Sequence, residues 1–173
     1  MKTLKSILLI LLTLSLSAAL HAQQVSQAFP GTWQADNGNQ RFIVKIWQEG
    51  TEYLGHYKMV QLNNGIPGNI ISNSRQIYSN GAMLPYSIYT GLVNNMKLSG
   101  FIHDNTIINK DEDFKTGDLL ITLNQMPGCF TCAPFTATWK VSQREGIIVG
   151  ANPPFSVPIN IVLTKVSDTV VWD

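Results

Sequence analysis

The chain has 173 residues, 12 lysines and arginines against 11 aspartates and glutamates, and only 13% charged positions. Near-neutrality without a basic run excludes the electrostatic footprint of a nucleic-acid binder and the polybasic motif of a membrane-surface protein. The length suits one domain with a sizeable core.

The first segment carries an address. Lys2 and Lys5 precede an apolar run from Ile7 to Leu12, and small residues follow, among them Ser15, Ser17, Ala18, Ala19 and Ala22. A basic end, a short apolar core and a small-residue exit predict a secretory signal peptide over residues 1–22, with one domain over 23–173. The apolar run is shorter than the roughly 20 residues of a membrane span. No cysteine stands at the cleavage zone to take a lipid anchor, so the expected product is soluble, secreted or periplasmic. Loss of Lys2 and Lys5 leaves 10 basic residues against 11 acidic ones, and the mature domain turns slightly acidic.

From Arg41 onward the period is two. Phe42, Val44 and Ile46 share one face of a strand predicted over 40–48. Tyr53, Gly55, Tyr57 and Met59 share one face of the next, over 51–61. Glu49-Gly50 between them predicts a tight hairpin, because glycine takes positive φ freely. Further strands are predicted at 69–78, 97–103, 118–124, 134–142, 146–150 and 158–166, separated by breakers such as Asn63-Asn64-Gly65, Pro67-Gly68 and Pro153-Pro154. No stretch holds a 3.6-residue period with caps. Ala82–Leu92 is apolar but interrupted by Pro85 and Gly91, and reads as a loop or short helical turn lying over the sheet as a flap. Asn105–Gly117 reads as a solvated hairpin loop. The whole is an all-β domain of about eight to ten antiparallel strands, a small barrel or an open sandwich.

Cys129-Phe130-Thr131-Cys132 has the C-x-x-C spacing of redox motifs. Those motifs set the first thiol at a helix N-terminus, whereas a strand pattern follows Cys132 here. In an exported chain the expected state is a small-ring disulfide pinning a loop; free thiols and redox or metal chemistry are the alternatives. His56 and His103 lack the paired spacing of a zinc site, so no metal and no cofactor are expected. His56 falls on the same face as Glu52 and Lys58 and should meet solvent. His103-Asp104, followed by Asp111, Glu112 and Asp113, is the only constellation that hints at acid/base or calcium chemistry. It lacks the alternating spacing of a calcium loop, and solvated loop charge is its simpler reading. No nucleophile elbow, H-E-x-x-H motif or phosphate loop occurs, so no catalytic residue is assigned and an enzyme is the least favoured reading.

Large aromatics are plentiful. Rings lining a barrel mouth can hold an apolar or sugar ligand, although core packing is their commoner use. Tyr57, Tyr86, Tyr89 and Trp139 are the candidate ligand-binding residues. Trp139 alternates with Ala137 and Val141 and should also belong to the core. Trp33, Phe42, Val44, Ile46, Tyr57, Trp139, Val141, Ile161 and Leu163 are expected to be buried. Ile43, Trp47 and Leu54 fall on faces that should otherwise be polar, as an interaction surface would.

Three pieces carry a resemblance. Phe29-Pro30-Gly31-Thr32-Trp33 resembles the Gly-x-Trp opening of lipocalin-like barrels. Leu54-Gly55-His56-Tyr57 resembles the Gly-x-Tyr strand of such barrels. Pro158-Ile159-Asn160-Ile161-Val162-Leu163-Thr164-Lys165 is similar to the last strand of a family of small exported Bacteroidetes proteins of the DUF6705 type. The resemblance implies a lipocalin-like antiparallel barrel with Trp33 plugging its closed end, and it implies no substrate. The functional expectation is then a monomeric barrel that binds a small apolar ligand in its cavity. The alternative is an envelope or extracellular protein-interaction module without a small-molecule site.

Overall fold

The alternation over residues 40–61 becomes a long antiparallel hairpin. Strand β2 (Gln40–Glu49) and strand β3 (Glu52–Asn63) pair from Gln40↔Gln61 to Glu49↔Glu52, with Gly50 at φ 60° in the two-residue turn. Before it runs β1 (Gly31–Asn37), and after it β4 (Ile66–Asn73), β5 (Ile88–Asn94), β6 (Lys97–Asp104), β7 (Lys115–Leu123), β8 (Thr136–Gln143) and β9 (Asn160–Ser167). The computed structural model describes residues 28–75, 81, 83–106, 115–125, 134–144 and 154–170. The signal-like segment, the pair Cys129 and Cys132, the acids Asp111, Glu112 and Asp113, and the strand expected at 146–150 all lie outside the described residues.

Eight strands close a ring in the order β1, β2, β3, β5, β6, β7, β8, β9, and β9 returns to β1 through Trp33↔Lys165 and Gln34↔Thr164. All pairings are antiparallel. The fold is a lipocalin-like barrel, and the closure between first and last strands rules out the open sandwich. β4 is the extra strand. β3 has 12 residues and so spans about 40 Å. One of its edges pairs with β2 from Glu52 to Gln61. The other is shared: Lys58–Asn63 holds β4 and Glu52–Gly55 holds β5. Asn64 (φ 54°) and Gly65 (φ 80°) make the β3–β4 connection, and positive φ at both central residues is the type I′ pattern whose twist suits a hairpin. β4 exposes Ile66, Ile70 and Ile71 at 69, 58 and 49%. It carries no charge, and Pro67 together with two breaks of register against β3 blunts its outer edge.

Two strands escaped the sequence pattern. β1 offers only Gly31, Trp33 and Ala35 to the interior. Residues 88–94 of the expected flap are instead a wall strand, paired with β3 on one side and β6 on the other. Pro85 lies just before β5, where a missing N–H costs nothing, and Gly91 pairs with Glu52 and Ser99 without disturbing the ladder. The segment 105–117, expected as a solvated loop, departs from that at both ends: Asn105 is buried and donates to the Ser74 carbonyl, and Lys115, Thr116 and Gly117 already belong to β7.

Side chains from around the ring pack into one buried cluster in the interior. Trp33, Phe42, Val44, Ile46, Tyr57, Trp139, Val141 and Leu163 are buried, as the alternation predicts; Ile161 is only half-buried against the same core. Phe42 on β2 meets Trp139 on β8 edge-on at 5.4 Å and Tyr57 at 5.9 Å, so rings bridge the lumen at that level. Trp33 donates its indole N–H to the Phe29 carbonyl at 2.8 Å, and Phe29 packs on Tyr53 at 5.8 Å, closing the end where β1 begins. Lys165 donates to the Ala28 carbonyl at 3.1 Å and pairs with Asp168, holding the entering segment down.

β5 and β6 approach closely at Gly100. A Cβ there would collide with the Tyr89 carbonyl and lie 2.7 Å from the Thr90 Cα. These are main-chain atoms of β5, which cannot yield cheaply, so Gly100→Ala should cost about 1–3 kcal/mol, read as a lower urea midpoint. An unchanged midpoint would show that the two strands can separate freely here.

Candidate functional site: an aromatic row on the outer wall

The four aromatic candidates divide between the two faces of the wall. Tyr57 and Trp139 point inward and are 2% and 0% exposed. Tyr86 and Tyr89 lie outside and half-buried. They do not form one site.

The outer pair belongs to a larger arrangement set by register. Trp47 stands opposite Leu54, Leu54 opposite Tyr89, Tyr89 opposite Phe101, and Phe101 opposite Asp118. This line crosses β2, β3, β5, β6 and β7 on the solvent side. Tyr89 and Phe101 stack at 5.0 Å with planes 15° apart; Tyr86 lies against Tyr89 at 5.7 Å and His103 against Phe101 at 4.9 Å. Trp47, Tyr86, Tyr89, Phe101 and His103 are all half-buried, and Leu54 is buried between its neighbours. Cross-strand aromatic pairs stabilise a sheet modestly, by about 0.2–1 kcal/mol each. A row this long on a convex wall leaves ring edges in water. Of the three apolar residues expected on a polar face, Trp47 and Leu54 join the row and half-buried Ile43 lies outside it. Phe101 was missed, although its parity with Ser99 and His103, opposite to that of Leu98 and Ile102, places it outside.

Carboxylates edge the row. Trp47 donates its indole N–H to Glu49 at 2.7 Å, and the Tyr89 hydroxyl donates to Glu52, which lifts the Tyr89 pKa. Glu49 and Glu52 stand directly opposite each other across the β2–β3 turn. The ion pairs Arg41–Asp36, Arg144–Asp118 and Lys165–Asp168 do not reach these two glutamates.

His56 contradicts expectation: it points outward, yet is 3% exposed. It sits where β4 and β5 part company on the edge of β3, and residues 74 and 85–87 cover it there. Its Nε2 lies 3.2 Å from the Pro85 carbonyl, which can only accept, so Nε2 carries the proton. Nδ1 is then an acceptor for the Ser74 hydroxyl at 3.1 Å. Ser74 Oγ in turn accepts from the Tyr57 amide at 2.9 Å and the Ser87 hydroxyl at 2.8 Å. The geometry has the look of a nucleophile and its base, but both serines are 0% exposed and their bonds knit the gap between strands. Burial pushes the His56 pKa down to about 4; the Pro85 bond opposes this, and the charge of Arg75 adds to it. Below pH 6.5 the unfolded chain takes a proton that the folded one refuses. Stability from this group is therefore full above pH 6.5 and falls away toward pH 4, by about 3 kcal/mol in all. Urea midpoints measured from pH 7 to 4.5 should show this loss, and His56→Gln should flatten that part of the profile. Parallel profiles would show that His56 titrates freely.

His103 and Asp104 project to opposite faces of β6, so the acid/base pair weighed from the sequence is not assembled. His103 lies 3.1 Å from the Thr116 hydroxyl, and burial lowers its pKa. Asp104 is fully buried and ties three segments together. Its Oδ1 accepts from the Tyr57 hydroxyl at 2.8 Å, from Thr106 Oγ1 at 2.9 Å and from Ser156 Oγ at 2.6 Å; its Oδ2 accepts the Ser156 amide at 2.6 Å. Burial first, and then the Asp104 charge, holds the Tyr57 pKa well above that of a free phenol. The strap 154–158 thus lies across the barrel end opposite Trp33, with Val157 inserted into the core and the Pro158 carbonyl accepting from Trp139.

Among the described residues no group of three or more histidines, cysteines or carboxylates could hold a metal ion, and no helix is long and apolar enough to cross a membrane. No protein-family model, curated protein or solved structure matches the chain. The class is accordingly the one the strands define: a closed, eight-stranded, lipocalin-like antiparallel barrel with one appended strand.

Proposed function

We propose that the protein is a binding module of the cell envelope or extracellular space that engages a partner protein through its outer wall. One observation carries this reading: the register sets Trp47, Leu54, Tyr89 and Phe101 in a single line across four strands on the solvent side, with the rings half-exposed. Aromatic rings give large contact area at small entropic cost, which is why they concentrate in protein interfaces. The signal-like segment and the resemblance to small exported Bacteroidetes proteins supply the compartment in this reading. A small apolar ligand in the lumen is less favoured, because Tyr57 and Trp139 are already engaged with Phe42 and the strap covers one end.

The test is a photo-reactive phenylalanine analogue placed at Phe101 and, as a control, at Val162, which is 53% exposed on β9. Irradiation in the native cells should give a defined protein adduct from position 101 and none from 162. Equal labelling at both positions, or no adduct together with a small molecule retained in native mass spectrometry, would overturn the proposal.

A further inference from the structure

Glu49 and Glu52 are not explained by the stability of the barrel. They stand opposite each other in the register, where like charges repel, and the ion pairs of Arg41, Arg144 and Lys165 go to other carboxylates. Glu49 is exposed and Glu52 half-buried. Each already accepts a hydrogen bond from a ring of the row, Glu49 from Trp47 and Glu52 from Tyr89, through Oε1. That contact fixes both carboxylates at the rim and leaves Oε2 of each without a described partner. Asp118 lies at the other end, opposite Phe101, in an exposed pair with Arg144 at 3.5 Å. The outer row is therefore a strip of rings with two carboxylates at one end and the paired charges of Asp118 and Arg144 at the other.

We propose that this strip selects a cationic segment of its partner, an extended stretch bearing arginine, whose guanidinium would bridge Glu49 and Glu52 while its neighbours lie along Tyr89 and Phe101. This rests on the outer wall being the binding face. Arginine suits it on three counts. Its planar fork can serve two carboxylate oxygens at once, its weak hydration lets it lie against rings, and its charge persists at every physiological pH. The attraction of a cation to aromatic rings adds to the pull of the carboxylates. The repulsion tolerated in the free protein is relieved on binding, which is how a functional site commonly departs from the most stable arrangement.

The probe is a blocked pentapeptide, Gly-Arg-Tyr-Arg-Gly, compared by amide chemical-shift titration with the same peptide carrying citrulline, which keeps the shape and loses the charge. The arginine peptide should shift amides around residues 47–54 and 89–101 and bind about tenfold more tightly than the citrulline peptide. Raising the salt from about 0.05 to 0.5 M should erode that difference. The double variant Glu49→Gln, Glu52→Gln keeps both ring hydrogen bonds. It should lose the preference for arginine and should also unfold at higher urea than the parent, since the opposed charges are gone. Equal affinity for the two peptides, no binding of either, or an undiminished preference in the double variant would overturn the proposal. The adduct from position 101 separates this failure from that of the wider reading. A cross-linked partner segment without arginine or lysine leaves the binding face standing and removes the cationic selectivity.

Discussion

Replacing Trp139 by alanine is expected to remove about 3–5 kcal/mol of stability, the largest effect of any single truncation in this barrel. The side chain is 0% exposed, meets Phe42 edge-on, and spends its one polar group on the Pro158 carbonyl at 2.8 Å. Alanine would leave a cavity in the middle of the lumen and orphan that carbonyl, so the strap would loosen at the same time. A domain of this size has only about 5–15 kcal/mol in hand, so the variant would lose a large fraction of its total stability. Trp139→Phe isolates the hydrogen bond from the volume and should fall between the two. The measurement is equilibrium urea unfolding. A loss under about 1 kcal/mol for the alanine variant would mean that the lumen tolerates empty space, and would restore the case for a ligand inside it.

Asp104→Ala is the second large expectation, about 3 kcal/mol or more, because bonds to a charged acceptor are worth more than neutral ones and several are lost together. The Tyr57 hydroxyl and the Ser156 amide would be left facing a void. Asp104→Asn tests the chemistry rather than the space. It retains one acceptor but turns the other position into a donor against the Ser156 N–H or the Tyr57 O–H, so it too should destabilise. The local readout is hydrogen exchange: the Ser156 and Val157 amides should exchange much faster in both variants while β7 and β8 stay protected. Unchanged exchange at Ser156 would show that Val157 alone anchors the strap.

Much of the wall was legible because one side of it is dry. Phe42, Val44 and Ile46 alternate with polar residues, and Gly50 follows them where the turn needs it, so the β2–β3 hairpin could be read directly. β1 could not, since Gly31 and Ala35 carry little apolar signal and Trp33 becomes interior only when β9 closes over it. β5 was hidden by Pro85 and Gly91, which break a strand in general but not at the positions they hold here. The burial of His56 depends on Ser74, Pro85 and Ser87, which come 18 to 31 residues later; parity gives the face of a side chain and says nothing about what lies on top of that face. The outer row was half visible for the same reason. Tyr86 and Tyr89 stood out as aromatic, and Trp47 and Leu54 as apolar on a polar face, while Phe101 and the line that joins them depend on register across several strands.

The seam between β1 and β9 has a consequence for how the molecule is made. Residues 33 and 165 pair across almost the whole length of the described chain. Until synthesis passes β9, the partial sheet has two raw margins, one on β1 and one on β8, and no rearrangement of the earlier strands can join them in the native order. Closure waits for β9, and it carries the entropic cost of the longest loop among the described strand pairings. Folding should accordingly run at the slow end for a domain of this size, as in other proteins dominated by contacts between distant residues. The unfinished chain remains an open ribbon, and an open ribbon is the form that can still be threaded, held or degraded.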